Sequence, residues 1–462
     1  MRKRDSNKEA RLHIKRERKR QKRIRNSNSL PFKKRGYLEK FQIKSDKKRI
    51  ESFEIDVQSP FFAYLKRQDF FRKINRTYFL APKEIDFFEN YERTLKFIQK
   101  IISSKINNVD SRVTIDFSLC KKASQTPLFL LKIILDKIDN EYERMNSKLQ
   151  VLRISNKVEV KGYKARNVRL NLFLSELIKE VDLDREGQVP LMSTRYIQGN
   201  SYRKGVLYNL KGSICRKVVS FMNEVLKQHS FELSSDGRHK LDGLISEVLS
   251  NAEDHGKLNE YYVMANFSTN RDSDSENEIV GEANIFIMNF GPSIYERLIE
   301  TGDENREIID DLDQITNVIL KKVNKFRTSD LYTLYSLQHG ISRLKYVDES
   351  RGTGTMKFLR AFFDLGDYED KGKNFIPRIS LISGSTGIYI ENNHAPYFDT
   401  NKNQWYVSLN KEQDLRMPPS DDSLFKLETI FPGTLLSARI FFNTNHMLRK
   451  VEGGGKNERE NN

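Results

Sequence analysis

The sequence predicts an α+β protein in which a mixed, mostly antiparallel sheet is covered by helices on one face. Three observations lead there. Short apolar runs with strand character crowd the second half of the chain, at Tyr261–Phe267, Ala283–Phe290, Arg378–Ser383, Gly387–Glu391 and Leu435–Phe442. A strongly periodic helix, Asp236–Gly256, precedes them with Leu241, Leu244, Ile245, Val248, Leu249 and Ala252 along one stripe. A separate strand–loop–helix unit stands upstream at residues 112–138 and predicts a smaller α/β domain.

The elements follow in chain order. Residues 1–50 carry 21 Lys or Arg against 5 Asp or Glu, leaving 59 against 58 for the other 412 residues of this 462-residue chain. Nearly the whole net charge of +17 therefore sits in one basic arm with few apolar anchors, read as flexible and drawn to polyanions. Contact with nucleic acid through residues 1–36 is one reading and a solubilising tail the other. Residues 51–185 form the first domain. Its opening is aromatic and helical, with FFAYLKRQDFFRKI and YERTLKFIQKIIS as segments. Arg112–Phe117 then alternates as a strand, and Thr126-Pro127 opens a helix as cap and first-turn proline. Residues 186–205 have turn composition and read as a linker. A helix at Ser213–Gln228 leads into the main domain, residues 205–445, and residues 446–462 read as a polar tail. Gly-Ser-Thr-Gly between two apolar runs at 384–387 signals a hairpin, and Asn270–Glu278 an exposed turn.

Composition excludes several classes. No run of about 18 apolar residues exists, and the best stretch, Pro127–Leu135, contains Lys132, so no membrane span is expected. The first residues lack the apolar core of a signal peptide, and a cytoplasmic location is expected. Cys120 and Cys215 are the two cysteines, far apart, which argues against a disulfide framework or a zinc cluster.

Chemistry concentrates on the periodic helix. Glu247, Asn251 and His255 follow at successive four-residue steps and share a second face, beside the apolar stripe. Carboxylate, amide and imidazole in a row suit the wall of a site; a solvated polar face is the simpler alternative. Two further motifs join it. Asn289-Phe290-Gly291-Pro292-Ser293 leaves a buried strand, and Arg351-Gly352-Thr353-Gly354-Thr355 runs into the apolar helix MKFLRAFF. Glycines ahead of a helix start expose backbone N–H groups at its positive end, where a phosphate chain can be held. Phe431-Pro432-Gly433-Thr434 introduces the last strand.

These four elements in this order resemble the GHKL ATPase domain, the Bergerat fold of histidine kinases, gyrase-type topoisomerases, Hsp90-like chaperones, mismatch-repair ATPases and anti-sigma serine kinases. The resemblance covers about residues 205–445. It implies that Asn251 holds a Mg²⁺ bridging the phosphates of ATP and that Glu247 is the general base. His255 belongs to the pattern, though it can serve only to close the helix. The second motif departs from the family's Asp-x-Gly-x-Gly: Asn289 stands for the base-reading Asp, Gly291 for the first Gly and Ser293 for the second. Gly352 and Gly354 would wrap the phosphates, with Thr353 and Thr355 as donors and Arg351 as an added charge or a solvent-facing side chain. Thr434 would lie near the adenine. Pro292–Ser350 takes the place of a lid that orders on nucleotide binding. The upstream strand–loop–helix unit resembles STAS-like domains, whose antagonist members accept phosphate at a Ser or Thr near the helix start. Ser124 and Thr126 lie there, although capping explains both.

The resemblance implies an ATP-binding regulatory protein with lid closure and slow hydrolysis, acting on a protein or nucleic-acid partner or as a homodimer. An anti-sigma-like serine/threonine kinase, a nucleic-acid-associated ATPase and a nonhydrolysing binder remain as alternatives. None of the seven His residues has a sensor-kinase phosphoacceptor context.

Overall fold

The computed structural model describes residues 61–62, 65, 74, 76–107, 112–149, 158–179, 192–200, 208–227, 231–255, 260–271, 279–301, 303–338, 341, 354–365, 377–391, 394–400, 403–442 and 447–449. The basic arm, residues 272–278 of the expected turn Asn270–Glu278 and the motif residues Arg351, Gly352 and Thr353 lie outside them, while Asn270 and Arg271 end a strand instead of opening a turn.

The upstream unit is built on parallel pairing. β1 (Tyr78–Leu80) leads through β2 (Glu84–Ile85) to α1 (Tyr91–Asn107), β3 (Val113–Asp116), β4 (Lys122–Ala123), α2 (Gln125–Leu149), β5 (Val158–Lys161) and α3 (Arg166–Leu174). Strands β1, β3 and β5 lie side by side in that order, all parallel, and β2 pairs β4. The expected strand at 112–117 is β3. Helix α2 begins one residue ahead of Thr126, so Pro127 falls at its third position, where a missing N–H costs no helical bond.

The main sheet has seven strands and every pairing in it is antiparallel. In chain order the second part runs β6 (Met192–Asn200), α4 (Tyr208–Lys227), β7 (Phe231–Leu233), α5 (Ser235–His255), β8 (Glu260–Arg271), β9 (Ile279–Phe290), α6 (Ile294–Glu300), α7 (Arg306–Lys322), α8 (Thr328–Tyr335) and α9 (Gly354–Leu365). There follow β10 (Arg378–Ser383), β11 (Thr386–Glu391), β12 (Tyr397–Asp399), β13 (Gln404–Tyr406), β14 (Leu424–Lys426), β15 (Gly433–Phe442) and β16 (Met447–Arg449). The sheet order is β14-β11-β10-β15-β9-β8-β6.

Two expectations change here. The segment read as a linker supplies the edge strand β6, paired with β8 from Met192↔Ser268 to Asn200↔Glu260. Its Gly, Asn and Ser give it turn composition, but an edge strand takes its hydrogen bonds from one neighbour and tolerates them. The segment read as a polar tail likewise contributes β16, paired with β7.

Side chains alternate across the sheet, so each strand feeds two cores. Val263, Ala265, Ile285, Ile287, Ile379, Leu381, Ile388, Ala438 and Ile440 face helices α4 to α9 and form one buried cluster with them. Tyr262, Met264, Phe286, Met288, Phe290, Ile382 and Leu435 face the other way and join the upstream unit's core, with Phe61, Leu95, Phe129 and Ile134. Phe61 meets Phe290 edge-on at 4.8 Å between centroids, and Lys137 Nζ lies 5.0 Å over Phe61 and 5.6 Å over Tyr262. Helices thus cover one face of the main sheet, as expected, and the upstream unit covers the other.

Candidate functional site

Helix α5 carries the acid–amide pair. Its stripe of Leu241, Leu244, Ile245 and Leu249 is buried against the sheet, which fixes the helix's rotation and leaves Glu247 half-buried beside that stripe. Asn251 lies one turn on and His255 ends the helix. Helix α9 packs along α5, anchored by Met356, Phe358, Leu359, Phe362 and Phe363, and its first residue is Gly354. A Cβ built on Gly354 would fall on the Glu247 carboxylate. Two motifs distant in sequence therefore meet atom on atom. The first turn of a helix presents unpaired N–H groups and a positive dipole end, so an anionic group is favoured there. Glu247 supplies one. Thr355 is the second residue of α9 and half-buried.

A second cluster forms where four strands end on the same helix-covered face. The register aligns Asn289 of β9 with Thr434 of β15, Thr434 with Ser383 of β10, and Ser383 with Thr386 of β11. Each stands two residues from Ile287, Leu436, Leu381 or Ile388, which puts all four on the α5 side of the sheet. Asn289, Ser383 and Thr386 are buried and Thr434 is half-buried. Ser383 Oγ accepts the Ile294 N–H at 2.9 Å and lies 2.9 Å from Thr434 Oγ1. Thr386 Oγ1 donates to Asp330 Oδ1 at 2.7 Å, and Asp330, fully buried, is gripped by Arg327 through Nε at 3.0 Å and a terminal nitrogen at 2.7 Å. Ser383 had no motif to mark it; its role follows from the β10–β15 register alone.

The glycines of the second and fourth motifs make this joint possible. Gly291 has φ 149° and donates its N–H to Pro432 O at 3.3 Å, while Gly433 has φ 151° and leaves no room for a Cβ beside the Asn289 carbonyl. Their close approach is thus backbone on backbone. Ser293 was expected as a ligand contact, but its hydroxyl is committed elsewhere. It caps α6 in a capping box with Glu296: Ser293 Oγ accepts the Glu296 N–H at 3.2 Å, and the Glu296 carboxylate accepts both the Ser293 N–H and its hydroxyl.

The lid expectation narrows in the same way. Helices α6, α7 and α8 are as helical as their pattern suggests, but Leu298, Ile308, Leu312, Ile319, Leu331, Tyr332, Leu334 and Tyr335 are buried in the helix-side core. Apolar faces of that size hold a segment down. What is left of the proposed lid, beyond Ile341, lies outside the described residues.

Ser124 and Thr126 lie at the start of α2, on the opposite face of the sheet from Glu247. Gln125 between them receives a hydrogen bond from Asn266 of β8 and donates to Asn171, whose amide donates to Ala123 O. Thr126 is 4% exposed. Burial pushes the Cys120 thiol up to about 11, so it is no ready nucleophile. Among the described residues no three His, Cys, Asp or Glu side chains gather as a metal cluster, and no helix is long and apolar enough to cross a membrane. Comparison with protein-family models, curated proteins and solved structures gave no match.

Proposed function

We propose that this chain binds ATP with Mg²⁺ on the helix-covered face of the main sheet and hydrolyses it slowly, in the manner of the GHKL domains it resembles. The observation that carries the reading is the meeting of the Glu247 carboxylate with Gly354 at the start of α9. The fit rests on the same place. Glycine is the one residue type that lets the Glu247 carboxylate stand this close to the first turn of α9, where oxygen ligands are favoured.

On this reading, the phosphates would be held by N–H groups at the start of α9, with Gly352, Thr353, Thr355 and Arg351 around them, and the metal by Asn251. Mg²⁺ takes oxygen ligands and keeps several waters, so one amide oxygen from the protein suffices. Bound ATP supplies a phosphoanhydride whose cleavage needs a water in line. Glu247, one turn from Asn251, would orient that water and take its proton. Asn289 and Thr434, adjacent on the sheet, would face the base. The upstream unit, similar to STAS-like domains in its strand–loop–helix order, is read as a covering and coupling layer. The arm at residues 1–36 is read as a polyanion contact that weakens with salt.

The test is a titration of ATP, ADP and GTP, with and without Mg²⁺, followed by turnover measurements. ATP should bind the native chain, and Asn251→Ala should weaken binding about tenfold or more only in the presence of Mg²⁺. Glu247→Ala should keep binding and lose about a hundredfold in turnover. Gly354→Val should abolish binding, because its side chain needs the space of the Glu247 carboxylate. A Gly354→Val protein that binds ATP normally overturns the proposal.

A further inference from the structure

Among the described residues, helices cover only one side of the upstream unit's three-stranded sheet. Phe79, Val113 and Ile115 point into the core, where α1, α2 and α3 bury Leu95, Leu128 and Leu172 with them. The alternate residues stand on the other face: Tyr78 and Leu80 of β1, Thr114 and Asp116 of β3, Glu159 and Lys161 of β5. All three strands run parallel, and purely parallel sheets carry helices on both faces. Here Tyr78 is 41% and Leu80 42% exposed. Leu119, 53% exposed, joins them at the carboxyl edge, in the loop that Asp116 holds through the Ser118 N–H at 2.9 Å. Charge surrounds this apolar centre. Lys161 ends β5, while Lys83, Lys121 and Lys164 stand in the loops that leave the three strands, and all four are exposed. Lys83 O accepts the Lys121 N–H at 2.7 Å, and Leu80, Asp116 and Lys161 are level in the register, so these loops lie side by side. Lys83, Lys121 and Lys164 form no ion pair among the described residues. The carboxylates nearby are held: Glu89 by Lys122 at 2.8 Å, Glu159 by Arg112 at 3.3 Å and Asp116 by the Tyr78 hydroxyl at 2.5 Å. Glu84 is left against the lysines.

We infer that this face docks an amphipathic helix of a partner protein, apolar along one stripe and acidic along its flanks, which supplies in trans the helical layer that the sheet lacks. The inference stands apart from the nucleotide reading above and does not depend on it. The chain's own basic arm is the wrong occupant, and so is the same face of a second copy, because each sets positive charge against the lysines. Nucleic acid suits the lysines but gains nothing from Leu80 and Leu119. The Tyr78 ring is not free to stack a base either, since Lys161 Nζ lies 5.1 Å over it. A helix laid on a sheet buries an apolar stripe at the centre and keeps its charged flanks at the rim. Leu80 and Leu119 inside a border of lysines match that layout with the sign of charge that calls for Asp and Glu on the helix.

The test measures fluorescence anisotropy of labelled helix-forming peptides of about 18 residues, roughly five turns, with the full-length chain. One peptide carries a Leu stripe at helical spacing with Glu on both flanks, and a second has Lys in place of each Glu. A third has the composition of the first, scrambled so that no stripe forms. The scrambled peptide keeps the charge and so reads attraction by the basic arm alone. The native chain should bind the Glu peptide about tenfold or more tightly than either control. Leu80→Ser with Leu119→Ser should remove the margin over the scrambled peptide. Lys83→Glu with Lys121→Glu and Lys164→Glu should weaken the Glu peptide and strengthen the Lys peptide, about tenfold each. Both sets replace exposed side chains, and an unchanged thermal midpoint confirms that each protein is folded. Equal binding of the Glu and scrambled peptides by the native chain overturns the inference, as does a preference that survives the leucine changes. Single-stranded DNA or phosphatidylserine vesicles whose binding falls with Leu80→Ser and Leu119→Ser would give the face to those partners instead, and that result overturns it too.

Discussion

Asp330 has no exposed surface, and the residues around it explain how a carboxyl group is accommodated there. Arg327 grips both carboxylate oxygens, the Arg327 N–H reaches Oδ2 at 2.9 Å, and Thr386 donates to Oδ1. The same guanidinium donates to Ser385 O at 2.5 Å, so the pair ties α8 to the β10–β11 turn. Breaking a buried pair from one side leaves the other charge poorly solvated. Asp330→Ala should therefore cost about 3 kcal/mol, toward the lower end of such losses because Arg327 is one-third exposed and can regain water. Urea unfolding measures it, and an unchanged midpoint would show that the hairpin turn needs no such tether. None of this was legible in the sequence. Arg327 and Asp330 sit three apart within the segment read as a lid, and burial alone gives the pair its weight.

At the scale of the element, capping separates what local pattern encodes from what it does not. Helix α6 has only seven residues, too short to hold by its own hydrogen bonds, and it relies on the Ser293–Glu296 box and on buried Leu298. Ser293→Ala should destabilise the chain by about 1 kcal/mol and fray the start of α6, read by faster amide exchange at residues 294–297. Unchanged exchange there would sink the assignment of Ser293 as a cap. The S-x-x-E pattern was present in the sequence, but the motif resemblance drew attention to Ser293 as a glycine substitute. The β10–β11 hairpin was legible, but its turn is tighter than the four residues 384–387 suggested: two residues separate Ser383 from Thr386, and Gly384, φ 58°, supplies the first, as a type II′ turn requires.

At the scale of the whole molecule, the upstream unit and the main sheet share a core that polar contacts close at its rim. The Glu92 carboxylate of α1 accepts N–H bonds from Glu428 and Thr429 at 2.6 and 2.9 Å and the Thr429 hydroxyl at 2.5 Å, and Lys96 lies beside it. Partial burial works to raise its pKa, but the bonds from Thr429 and Glu428 outweigh that and hold the carboxyl below the ordinary range. A folded-state value below the unfolded one contributes stability that is full above about pH 4.3 and is lost as pH falls through the folded value. Glu92→Gln should thus lose stability at neutral pH and show a shallower decline below about pH 4.3 than the native chain. Unfolding followed against pH decides this, and parallel curves for the two proteins would remove Glu92 from the docking of the upstream unit.

Periodicity in the chain settled the long helices, five of the seven strands of the main sheet, the α+β class and the four-residue spacing of Glu247 and Asn251, because those patterns depend on residues within a turn or two of one another. Long-range packing decided the rest: that Glu247 meets Gly354, that Ser383 stands beside Thr434, that β6 and β16 are strands, and that the upstream unit lies across the back of the sheet. Such pairings rest on which apolar faces bury each other and in what register, and a single residue's slip would turn every side chain of a strand to the opposite face.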